Sequence, residues 1–399
     1  MENLKTYALL VSVCALIILS KGRIDFASPA FAGWDLHSYR AVAIASPHLA
    51  PDAMAPFCYR LLGPYLVGLL PLPDPLAFWL LNSVACLVLV VLFYRFLIDQ
   101  KIRRDVAVMT VLLFACNRYF YGFFAWDPFQ IDDVMALICI VLCFSFLFKG
   151  RWVAFAFCLA LGCLTREAVL IMIPVSMFYL WEYGKFRQDY QRLMLAIAPP
   201  LAVFILVRVL VPADQASIGL SGILPYYWTK FGESIGNAIA PQAWFRRLLW
   251  CFMPLTLVPV MFIRTTISFF SARKHLLLFI LLVVVTDLWG IDVGGGDAER
   301  QMAPSFLAFY WLIGAITQRE LAAAKWVFPA LFGCGLIASL HHLQGIYPLP
   351  SKRATLLVTL IGFAGVTVTV LLSRYGGWRR VAVQRNSDGL GRLDNRLGS

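Results

Sequence analysis

Apolar runs of membrane length recur along this chain with short polar connections between them, and that pattern leaves few folds open. The runs fall at 7–20, 76–97, 106–124, 131–148, 152–164, 168–181, 193–211, 247–263, 275–291, 301–318, 326–343 and 354–373. A helix needs about 20 apolar residues to cross the hydrocarbon core, where every backbone N–H and C=O must pair within the segment. The pattern therefore predicts an all-α, polytopic transmembrane bundle of about 12 spans. Composition agrees, with 61% hydrophobic and 14% charged residues and a mean hydropathy of +0.77. A soluble domain carries about a quarter charged residues.

The distribution of charge gives an orientation. Most of the 34 Lys and Arg fall in alternate connections, at Lys5, Arg95–Arg104, Lys149–Arg151, Lys185–Arg192, Arg264–Lys274, Arg319–Lys325 and Arg374–Arg396. Basic connections stay on the cytoplasmic side. Both termini are thus expected in the cytoplasm, in a plasma (inner) membrane, with 1–374 as one transmembrane domain and 375–399 as a flexible basic tail. The net charge of +12 then describes a surface facing anionic lipid headgroups, with no call for nucleic acid as a partner. Residues 1–20 superficially resemble a signal peptide. Lys21-Gly22-Arg23 separates that run from the small-residue triplet Ala30-Phe31-Ala32, so it is expected to remain as the first span. The ten cysteines show no ligand spacing, and neither disulfide nor cysteine metal site is expected.

This orientation places loops 21–75 and 212–246 outside, together with turns at 125–130, 292–300 and 344–353. The first loop holds the densest chemistry. Within Gly33–Tyr65 lie Asp35, His37, Tyr39, Arg40, Tyr59 and Arg60. Tyr39, Ala43 and Ile44 recur at helical spacing, and 57–65 reads as a second short interfacial helix. A carboxylate beside two cations suits one reaction well: Asp35 takes a proton from a hydroxyl while Arg40 and Arg60 stabilise a phosphate leaving group. The plainer alternative is a helix cap beside surface arginines.

Three further stretches face the same side. Residues 152–181 are short for two crossings, so Leu164-Thr165-Arg166-Glu167 is expected to turn in or near the bilayer, lining a wet cavity. Arg166 there suits a phosphate, or pairs with Glu167 or Asp35. Gly294-Gly295-Gly296-Asp297-Ala298-Glu299-Arg300 lets backbone amides approach a ligand, with Asp297 and Arg300 at hand. Asp127, Asp132 and Asp133 offer three carboxylates in seven positions, enough to begin a divalent-cation site or to cap helices.

Together these stretches resemble the GT-C class of membrane glycosyltransferases, which use polyprenyl-phosphate sugars. GWDLHSYR and YRLLGPYL are similar to the two membrane-parallel helices of that class's first outer loop, LTREAVLIMIP to a turn found in bacterial members, and GGGDAERQMAPSF to their late outer-loop segment. The resemblance implies that Asp35 is the general base, that Arg166 and Arg300 hold the donor phosphate, and that membrane lipid and a polyprenyl-phosphate sugar are the partners. Many members carry an acidic pair at the base, whereas Asp35 is followed by Leu36. The rival readings are a transporter or flippase for a lipid-linked or anionic substrate, and a non-catalytic partner in cell-envelope assembly. A transporter predicts polar residues in mid-span and inverted repeats, but the ionisable residues gather at span ends.

Overall fold

The computed structural model describes residues 2–20, 35–50, 53–54, 56–117, 121–211, 250–252, 254–290 and 301–321, with parts of 327–334 and 357–373. The described residues are helical and contain no strand. The helices are α1 (Glu2–Ser20), α2 (Leu36–Ala45), α3 (Leu62–Gly68), α4 (Asp74–Asp99), α5 (Arg104–Ala115), α6 (Phe123–Trp126), α7 (Ile131–Phe148), α8 (Trp152–Cys163), α9 (Met172–Glu182), α10 (Phe186–Leu210), α11 (Leu257–Met261), α12 (Ile263–Ser271), α13 (Lys274–Gly290) and α14 (Phe306–Ile316).

Three of these segments are long and apolar enough to cross a membrane: Asp74–Asp99, Pro128–Phe148 and Phe186–Leu210. A fourth is reached if the bent pair Ile263–Ser271 and Lys274–Thr286 counts as one. The remaining predicted runs form shorter helices or fall partly outside the described residues. The run at 106–124 breaks after Ala115 and resumes as α6, and the run at 247–263 breaks at Phe262, where φ is −110° and ψ 45°. The stretch 264–274, expected as a connection, is mostly helix α12.

The core is made by α4, α5, α7, α8 and α14, with α1, α9, α10 and α13 packed around them. Aromatic rings fill it: Phe114 stacks on Phe306 at 4.5 Å, Phe252 on Phe309 at 4.0 Å, and Trp311 meets Phe96 edge-on at 5.3 Å. Among apolar helices in lipid, such close packing replaces the hydrophobic drive that water supplies. Helix α10 buries only Leu193, Ala196, Ile197 and Pro200, and leaves Leu195, Ile205, Val209 and Leu210 exposed.

Polar contacts join helix ends in two groups. At one end Lys149 meets Asp99, Arg104 meets Thr6, the Arg103 amide donates to Gln318, and Glu182 accepts from the start of α13. At the other end lie α2, α3 and the starts of α4, α7 and α9. The opposed ends follow from the chain running up and down through α4, α5, α7, α8 and α9, and they bring the chemistry-bearing residues of 35–65 beside those of 127–133 and 164–167.

Candidate functional site

Asp35 stands at the N-cap of α2 with φ −64° and ψ −8°, and its side chain makes no capping hydrogen bond. Asp35 thus takes the cap position that the plainer alternative gave it, without the cap's side-chain hydrogen bond. The Asp35 carbonyl accepts from the Tyr39 amide at 3.2 Å, so the two residues are one turn apart. Residues four apart share a helix face, with Cβ atoms about 5–6 Å apart. Leu36, Tyr39 and Ala43 are buried on α2, while Ile44 is exposed and off that face. Gly68 lets α3 close on α2: a Cβ there would lie 2.0 Å from the Ala43 carbonyl oxygen.

Arg60 anchors the site. The chain makes a 3₁₀ turn at Phe57–Tyr59, breaks at Arg60 (φ −93°, ψ 81°) and restarts as α3, so the expected single helix over 57–65 is two pieces. The break frees the Leu61 and Leu62 amides, which donate to the Leu164 carbonyl at 2.8 and 3.1 Å. This fastens the first loop to the α8–α9 turn. Arg60 is buried; Nη1 donates to the Tyr39 hydroxyl at 2.8 Å and Nη2 to Glu167 Oε1 at 2.9 Å. Its guanidinium also lies 5.2 Å from the Phe57 ring, which meets Tyr39 edge-on.

Arg166 does not pair with its neighbour Glu167. Its backbone is extended, at φ −156° and ψ 135°. Successive side chains of extended backbone leave on opposite sides. Arg166 accordingly forms an ion pair with Asp133, and Glu167 turns to Arg60. Burial pushes the Glu167 carboxyl up, but the charge and hydrogen bond of Arg60 outweigh it and hold the group at about 2. Burial works against the Arg60 cation as well, yet Glu167 and Tyr39 carry its pKa well above the ordinary arginine value.

The three aspartates do not converge. Asp132 Oδ1 accepts from the Gly63 amide at 3.0 Å, while the adjacent Asp133 is turned to Arg166. Consecutive helical side chains diverge by about 100°. Asp127 is buried at the turn before Pro128. Among the described residues no group of three His, Cys, Asp or Glu side chains is arranged to hold a metal ion.

Other predicted residues fall apart from this cluster. Arg40 points outward to Asp74 at 3.1 Å, and His37 is exposed. Tyr59 lies beneath Arg208, whose guanidinium carbon is 5.0 Å from the ring centroid. Sequence reasoning missed Arg208. Its signal was a lone arginine in the last turn of an apolar run, a position that favours contact with a loop folded back on the helix end. Asp297 and Arg300 lie outside the described residues. No protein-family model matches the chain, and neither a curated protein nor a solved structure does.

Proposed function

We propose that this chain is a membrane glycosyltransferase that moves a sugar from a polyprenyl-phosphate donor to an extracytoplasmic acceptor hydroxyl on a glycolipid, polysaccharide or protein. In this reading the chain spans the membrane about twelve times, and both termini are cytoplasmic. The Arg60 cluster faces outward. The observation that supports it best is a set of charged side chains held away from water at one end of an apolar bundle, with Asp35 one helical turn from Tyr39. Buried charge in an apolar helical protein is costly and marks function more often than scaffolding.

Asp35 is the general base. Its carboxylate takes the acceptor's hydroxyl proton as that oxygen bonds to the anomeric carbon. The bond from this carbon to the phosphate oxygen breaks, and polyprenyl phosphate leaves with the bonding pair. Direct displacement inverts the sugar's configuration. Arg60, fixed by Tyr39 and Glu167, positions the Asp35 face of α2. Arg166 and Arg300 are the proposed phosphate contacts, with Arg166 sharing its charge with Asp133.

The test is release of polyprenyl phosphate from a panel of polyprenyl-phosphate sugars by the purified full chain in lipid, compared with Asp35→Asn. Turnover lost in a folded Asp35→Asn variant supports the transferase and its base together. Undiminished turnover in that variant removes Asp35 from the chemistry. A wild-type chain that moves lipid-linked sugar across the bilayer without releasing polyprenyl phosphate is a transporter.

A further inference from the structure

Helix α12 divides its surface three ways. Ile263 and Ile267 follow one another at i and i+4 along one edge, and they are 54% and 59% exposed. Thr265 and Phe269 face the bundle: Thr265 Oγ1 donates to Glu320 Oε1 at 2.6 Å, and the buried Phe269 ring meets Trp311 edge-on at 5.5 Å. Arg264, Ser268 and Ser271 make a third, polar and exposed edge. A helix at a water–protein boundary needs two faces; a third, apolar and uncovered, needs another medium.

The direction of the helix says which medium. α12 is bent by 99° from Lys274–Thr286, the stretch with which it shares membrane-length hydropathy. If α13 runs across a bilayer, α12 runs along its surface. The exposed edge of α13 at Leu277, Leu281 and Val285 supplies the lipid-facing stripe that the exposed isoleucines extend. The same end of the bundle exposes Arg151, Lys185, Arg187 and Lys274, a basic surround that complements anionic headgroups.

The elbow itself is held by Glu182 at the end of α9. Its Oε1 accepts from the Lys274 amide at 2.7 Å, and its Oε2 from the His275 amide at 3.0 Å, with His275 Nδ1 2.7 Å away. These are first-turn amides of α13, which have no acceptor in their own helix. A carboxylate from a neighbouring helix therefore caps α13 and stops α12 from running on into it.

We propose that α12 is a membrane-surface helix that seats Ile263 and Ile267 among the acyl chains and Arg264 and Ser268 among anionic headgroups, with Glu182 fixing its angle. The occupant of the apolar edge is the bilayer, and the proposal is independent of any catalytic role.

The test places a nitrobenzoxadiazole label at Ile267→Cys or Ser268→Cys in the full chain, in lipid discs containing anionic lipid. Nine of the ten native cysteines are buried, and the unmutated chain treated alike gives the background. The Ile267 label should be quenched by doxyl-labelled lipid and reduced by dithionite several-fold more slowly than the Ser268 label. Equal reduction at both positions without lipid quenching overturns the proposal. Shielding of the Ile267 label without lipid quenching overturns it too, because that means protein covers the edge. Glu182→Ala should speed reduction of the Ile267 label; an unchanged rate removes the clamp.

Discussion

Arg60 and Glu167 stand 107 residues apart in the sequence, and Arg60 Nη2 donates to Glu167 Oε1 at 2.9 Å. The two side chains are unequally covered, at 7% and 39% exposure. Removing the carboxylate strands a buried cation, whereas removing the cation leaves a carboxylate that water can still reach. Glu167→Ala should therefore destabilise the protein more than Arg60→Met. The loss should be about 2 kcal/mol, below the 3–5 of a fully enclosed pair because Glu167 is partly solvated. Thermal unfolding of both single variants and the double variant in lipid measures the difference and the coupling. Equal losses would mean that packing, not charge, carries the contact.

The same pair sets an acid limb. The Glu167 carboxyl is held at about 2 when folded, against an ordinary value of 4.5. A lowered folded pKa means that the unfolded chain takes up the proton first. The pair's stabilisation is then fully present above the unfolded value and is lost as pH falls from near 4.5 towards 2. Melting temperature should drop across that window in the wild type and drop less in Glu167→Gln. Identical acid limbs in the two proteins would assign the titration elsewhere. Glu182 is the alternative: burial raises its pKa, but His275 and two backbone amides bring it below the usual carboxylate range.

Much of this was legible in the sequence where one element makes its own pattern. The run at 131–148 is helix α7 to the residue, because the turn residues Asp127 and Pro128 precede it and Lys149-Gly150 follows it. The break between α8 and α9 was visible as a polar LTRE interruption. Pairing was not legible. Arg166 and Glu167 look like partners in sequence, and only the extended backbone at Arg166 sends them to Asp133 and Arg60. Helix α12 was hidden by Arg264, Arg273 and Lys274, which read as a cytoplasmic connection. A helix lying along a surface satisfies the same charge rule as a loop.

Gly63 brings α3 close against α7. A Cβ there would lie 2.6 Å from Ile131 Cγ2 and 2.8 Å from Asp132 Oδ1. Both atoms belong to side chains fixed by burial in the first turn of α7. Gly63→Ala should cost about 1–3 kcal/mol by overpacking and should pull the Gly63 amide from Asp132. Gly333→Ala is the control, since nothing lies within 4 Å of its Cβ position. Parallel unfolding curves decide: alanine raises helix propensity at both positions, so similar losses in the two variants would mean that the α3–α7 contact is not the cause.

Asp132 separates a structural hydrogen bond from a charge. Its Oδ1 accepts from the Gly63 amide at 3.0 Å, and its buried Oδ2 has no hydrogen-bond partner. Asparagine keeps the first acceptor and removes the charge, whereas leucine keeps much of the volume and removes both. A buried amide that loses its acceptor costs about 1–3 kcal/mol, while a neutral replacement that preserves the bond costs far less. Asp132→Asn should thus fold nearly as stably as the wild type, and Asp132→Leu should melt well below both. If Asp132→Asn instead melts as low as Asp132→Leu, the carboxylate charge itself holds this end of the bundle together. The compensating cations would then be Arg60 and Arg166, whose charges both bear on Asp132.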